Sequence, residues 1–195
     1  MMKKLIKEDK YDGVVKEVVK DIIKIFTTRE DGEYGLPEDL NPNEIEYEFP
    51  SLENTFSVFL DLSSSENVEG FDVDSDYFRD DDLIYVTVIT NPKYGNEIIQ
   101  PLIGKLHELI RHELEHVKQH ESGYEFPKKE PKKPFKYYTQ KHELDAQRRG
   151  FRRGAKSEKL DYETVVRNWF EDNQHKHMMN PEEAEEVIQQ ILSEK

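Results

Sequence analysis

From Tyr11 to Phe26 the apolar residues Val14, Val15, Val18, Val19, Ile22, Ile23 and Phe26 recur at spacings of three and four. That rhythm predicts an amphipathic helix with one buried stripe, and Gly32, Gly35 and Pro37 break it. Alternation follows in Glu44–Phe49 (Ile45, Tyr47, Phe49) and Asn54–Leu62 (Phe56, Val58, Leu60), so both read as strands. Ser63-Ser64-Ser65 marks a turn after them. Leu83–Thr90, LIYVTVIT, is rich in β-branched and aromatic residues and is the strongest strand in the chain. The acidic stretch before it, Asp72 to Asp82, reads as a turn.

Pro101 suits a helical first turn, and Leu102, Leu106, Leu109, Ile110, Leu114 and Val117 carry a helix to about Gln119, closed by Ser122-Gly123. Lys128–Lys136, KKEPKKPFK, is too rich in Pro and Lys for a regular element and reads as a surface loop. A further helix starts near Thr139 and passes Gly150, and Tyr162–Phe170 and Pro181–Leu192 read as two more. An N-terminal helix, then strands, then a run of helices make the expected class α+β, with a small mixed or antiparallel sheet and a helical C-terminal half. A chain of 195 residues fits one domain, taken as 1–195.

Composition narrows the chemistry. Hydrophobic residues are 35% and charged residues 36%, so the core is modest, yet aromatics at 11% suffice to build one and argue against wholesale disorder. A net charge of −14 speaks against nucleic acid as a partner, because phosphate contacts need a basic face. There is no cysteine, so any metal must be held by His, Asp or Glu. The N-terminus MMKKLIKEDK has no apolar run for a signal peptide, and no window approaches the ~18 apolar residues of a membrane span, so a soluble, cytoplasmic protein is expected. Between Glu30 and Asp82 the sole basic residue is Arg79, whereas Lys128 to Lys156 is strongly basic. The two regions either attract each other across the fold, or the acidic one forms a rim that steers basic substrates.

The stretch Arg111–His120, RHELEHVKQH, is where chemistry concentrates. Residues four apart share a helix face, so His112 and His116 project side by side and can offer two imidazole nitrogens to one ion. Glu113 points about 100° away around the axis, placed to hold a water rather than to join the ligands. This is the mechanical content of His-Glu-x-x-His on a helix: zinc between the histidines, a water activated beside it, and the glutamate as general base. The pentapeptide alone arises by chance in roughly three of a hundred chains of this composition, so its context matters. Here the helix has an apolar side and follows closely on a strong strand. A third ligand is needed, and His142, Glu143 and Asp145 in KYYTQKHELDAQRRG are the candidates.

With these residues the chain resembles the zincin metallopeptidases whose third ligand is a glutamate on a following helix. It is most similar to the small single-domain members, phage-encoded or ImmA/IrrE-like, over roughly Leu83–Gly150. In that group the ligand glutamate is followed three residues later by alanine, matched here by Glu143 and Ala146, with Gly150 beyond. The resemblance implies a zincin-like fold in which an edge strand borders the cleft above the metal helix, and LIYVTVIT is the candidate for that edge. It implies Zn2+ on His112, His116 and Glu143, Glu113 as general base, and hydrolysis of a protein or peptide substrate. A tyrosine, Tyr137 or Tyr138, with Tyr138 taken for the role, would donate to the developing oxyanion. A viral origin, and with it the host cytoplasm or a virion, follows from the resemblance alone.

Other readings stay beside this one. The metal site could be structural or degenerate in a non-enzymatic phage or particle component, or could hydrolyse a non-peptide bond. His107 reads as surface or outer shell, His120 as a polar contact, and His175 and His177 as loop residues. Asp72-Val-Asp74-Ser-Asp76 begins like a calcium loop, but Tyr77 stands where glycine is needed and Leu83 where a bidentate glutamate should be.

Overall fold

The computed structural model describes residues 10–26, 44–47, 56–91, 93–94, 96–129, 131–177 and 179–193. The N-terminal MMKKLIKED, the break at Gly32, Gly35 and Pro37, and the strand ends expected at Phe49 and Asn54 lie outside them.

The architecture is α+β, with six helices and a small mixed sheet among the described residues. Helix α1 (Lys10–Phe26) is followed by strands β1 (Glu44–Tyr47), β2 (Phe56–Ser64), β3 (Phe71–Phe78) and β4 (Leu83–Thr90). Helices α2 (Ile99–Glu121), α3 (Pro134–Tyr138), α4 (Lys141–Glu158), α5 (Tyr162–His177) and α6 (Pro181–Ser193) complete the chain. The sheet order is β1-β2-β4-β3, with β2 and β4 parallel and the two outer pairs antiparallel.

That order corrects the expected edge. LIYVTVIT is β4, an inner strand between β2 and β3, and the edge is formed by β3, FDVDSDYF. The acidic stretch is therefore a strand, followed by a 3-10 turn at Arg79–Asp81 and a left-handed Asp82 (φ 46°), rather than a turn or a calcium loop. Its aspartates are tolerated because they alternate: Asp72, Asp74 and Asp76 are exposed on one face, while Val73, Ser75 and Tyr77 fall on the other.

One core lies between the sheet and helices α1 and α2. Val58, Leu60, Ile84, Val86 and Val88 meet Val15, Val18 and Ile22 of α1 and Leu102, Leu106, Ile110 and Leu114 of α2, all fully buried. Each such side chain contributes about 1.5–3 kcal/mol on burial. A second core joins α4, α5 and α6 through Phe151, Val166, Phe170, Val187 and Ile191. The basic residues of α4 find partners on neighbouring elements: Arg148 donates to the Ile191 and Gln190 carbonyls at the end of α6 (3.3 and 2.7 Å), and Arg153 to His107 Nδ1 (3.2 Å).

α2 and α4 join the two cores, and Gly150 lets them approach. A Cβ there would lie 2.7 Å from the Glu108 carbonyl oxygen and 3.2 Å from His112 Cβ. No helix among the described residues is long and apolar enough to cross a membrane.

Candidate metal centre

α2 supplies His112, Glu113 and His116 from its middle turns, and the first turn of α4 supplies His142 and Glu143. The i, i+4 spacing brings His112 Nε2 and His116 Nε2 to 3.1 Å. Glu143 faces the same point, its Oε2 3.7 Å from His112 Nε2 and its Oε1 3.5 Å from His116 Nε2. Ligand atoms held tetrahedrally at ~2.0–2.1 Å from zinc stand about 3.3–3.4 Å apart, so the separations of these donors are close to those of a single ion's ligands. Glu143 Oε2 is buried and has no hydrogen-bond partner, a state that normally costs free energy and that a bound cation would relieve.

The side chains are oriented for that task. His116 Nδ1 meets Gln119 Oε1 at 2.9 Å. An amide oxygen only accepts, so Nδ1 carries the proton and Nε2 presents its lone pair. Gln119 Nε2 in turn donates to the His142 carbonyl at 3.0 Å, tying α2 to the start of α4. Burial, with the neighbouring His116, holds the His112 imidazole down to about 3, so it is neutral at pH 7 and ready to bind metal. Burial acts to raise the Glu143 carboxyl, but hydrogen bonds from His142 and Tyr137 and the imidazoles of His112 and His116 outweigh it and hold the group below its usual range. The amino end of α4 favours the same charge.

Glu113 also lies close, one ligand atom from each of His112, Glu113 and His116 falling within 4.8 Å of the others. Either carboxylate could complete the set: Glu143 lies 3.7 and 3.5 Å from the two imidazole nitrogens and has one buried oxygen without a hydrogen-bond partner, whereas Glu113 Oε1 accepts from Ser75 Oγ at 2.8 Å. Burial pushes the Glu113 carboxyl well above the usual carboxylate range; the Ser75 hydrogen bond opposes this, and the charges of Glu143, Asp76 and Asp74 reinforce it. A carboxyl poised upward in this way suits proton transfer near neutral pH.

The other candidates have different employment. His142 is buried, with Nε2 3.3 Å from Glu143 Oε1 and Nδ1 3.4 Å from the Tyr124 hydroxyl, so it braces the carboxylate. Asp145 pairs with Arg148 at 2.9 Å. His120 Nδ1 lies 2.9 Å from the Tyr77 hydroxyl, the polar contact expected. His107 is buried against Arg153, not at the surface, because α4 covers that face of α2. His175 and His177 fall in the last turn of α5 rather than in a loop. Tyr137 hydrogen-bonds Glu143; the ring of Tyr138 packs edge-on against Trp169 at 5.8 Å, and Glu143 lies near enough to help raise its phenol.

All of this opens into one cleft of about 990 Å³, bordered by β3 on one side and by Phe126, Tyr137, Tyr138 and Trp169 among others. Three contributors escaped the sequence reading. Gln119 lies one turn beyond His116 and was discoverable from spacing. Ser75, thirty-eight residues from its partner, and the Tyr124–Phe126–His142 ring cluster arise only from the tertiary fold.

No protein-family model matches the chain, and no curated protein or solved structure is similar enough to it to serve as a relative.

Proposed function

We propose that this protein is a zinc-dependent metallopeptidase of zincin-like build, with His112, His116 and Glu143 as the metal ligands. The observation that carries the reading is the convergence of two imidazole nitrogens and one unpartnered carboxylate oxygen from separate helices, with a second carboxylate beside them in an open cleft. Zinc bound there would supply Lewis acidity and make water a nucleophile at neutral pH.

The chain's own residues do the rest. Glu113 accepts the proton of the attacking water on its free oxygen and later delivers it to the leaving amine. β3 is an edge strand on the cleft wall, so an extended peptide can pair with its backbone while alternate side chains enter the cleft. Tyr137 and Tyr138 border the same space, and Tyr138, whose hydroxyl group is less committed to Glu143, is the donor assigned to the developing oxyanion. Their phenols are raised by burial and by the Glu143 charge, so both stay protonated as donors at neutral pH.

Glu113→Gln tests this directly. The variant should hold one zinc per chain and lose about a thousandfold in peptide hydrolysis, the contribution of a well-placed general base. Hydrolysis at the wild-type rate would remove the mechanism.

A further inference from the structure

The hydrogen bond between the edge strand and the metal helix carries an inference that rests on the peptidase reading. We propose that Ser75 is the positioning residue for Glu113, its hydroxyl fixing one carboxylate oxygen so that the other faces the reacting water.

Ser75 occupies the inward row of β3 between Val73 and Tyr77, and its Oγ donates to Glu113 Oε1 at 2.8 Å. Among the described residues it is the hydrogen-bond donor that reaches this carboxylate. Glu113 otherwise sits buried in a field made unfavourable by Glu143, Asp76 and Asp74, and a free side chain would turn away from them. One donor on a strand removes that freedom, because a strand side chain has its direction set by the backbone. Two residues on, the Tyr77 hydroxyl donates to Asp82 Oδ1 at 2.9 Å and meets His120 Nδ1 at 2.9 Å. β3 is thus stapled to α2 at two levels, at Glu113 and at His120.

The placement has a consequence for substrate. The strand whose open edge borders the cleft is the strand that orients the base, so peptide pairing with β3 and alignment of Glu113 share one element.

The test uses the full-length, zinc-loaded protein with Ser75→Ala, Ser75→Val and Ser75→Thr. Valine keeps a strand-favouring shape without a donor, which covers the case in which the alanine variant folds poorly. Alanine and valine should lower kcat about tenfold with KM and zinc content unchanged, and threonine should restore most of the rate. In a Glu113→Gln background, Ser75→Ala should cost nothing further, because the two act as a unit. Crystal structures of the zinc-loaded alanine or valine variant should show the Glu113 carboxylate moved from its wild-type position. Should the wild-type protein cleave no peptide, the peptidase reading falls while the structures still decide the role of Ser75. A carboxylate unmoved without the hydroxyl, an unchanged kcat, or no rescue by threonine would overturn the proposal.

Discussion

Helix α2 carries two pairs at the same spacing, one residue out of phase. Arg111 and Glu115 are buried on one face, the guanidinium donating twice to Glu115 Oε2 at 3.1 Å and lying 3.5 Å from Asp12 of α1. His112 and His116 occupy the next face, also four apart. In the first pair every charge meets its opposite, and Lys118 adds a further contact to Glu115 at 2.7 Å. In the second, two imidazoles point at each other and at a carboxylate oxygen that has no hydrogen-bond partner. A closed polar cluster specifies how helices pack; an open one, left incomplete inside the fold, calls for an explanation such as a bound ion.

The contrast is broken most severely by Arg111→Ala. It takes the buried guanidinium away from Glu115 and Asp12, leaving Lys118 at 2.7 Å from Glu115, and should cost about 3 kcal/mol, read from chemical denaturation. Gly150→Ala separates the clusters differently. Its methyl group meets the Glu108 carbonyl oxygen, and α4 must shift, at a cost of about 1–3 kcal/mol. Zinc affinity should fall with it, because Glu143 rides on α4, while the Arg111–Glu115 pair within α2 stays intact.

His107 offers a satisfied imidazole for comparison. Burial, with the Arg153 and Lys16 charges, holds it down to about 4, below its ordinary 6.5. The unfolded chain therefore takes up the proton first, so the stability it confers is complete above pH 6.5 and is lost as the pH falls toward 4. By pH 5 that loss is about 2 kcal/mol, and His107→Gln, which keeps an acceptor for Arg153, should flatten the decline in metal-free protein by that amount. The smallest effect belongs to His112→Ala without metal: on the proposed reading this side chain serves a ligand rather than the fold, so thermal denaturation should register under about 0.5 kcal/mol. A loss as large as that of Arg111→Ala would erase the distinction.

Much of this was legible in the order of residues, and the exceptions have physical causes. The helical stripe of α2, the imidazole pair and the small residues of α4 follow from a period of 3.6, which local spacing reveals. β3 did not reveal itself, because three aspartates disguise an edge strand whose outward face is solvated, and the more apolar LIYVTVIT drew the edge assignment to itself. Apolarity on both rows of β4 was a sign of a strand flanked on both sides. Helix α5 was underread at its C-terminal end, where the sequence past Phe170 is polar and offers no apolar stripe to follow. Ser75 belongs with these: its role exists only once β3 lies over α2.

The central claim is that His112, His116 and Glu143 bind a single zinc ion from two helices. Anomalous diffraction across the zinc absorption edge, on crystals of protein purified without added metal and then given one equivalent, tests it most directly. The account predicts one peak, bonded to His112 Nε2, His116 Nε2 and a Glu143 carboxylate oxygen. A peak elsewhere, or none at these three side chains, would contradict it.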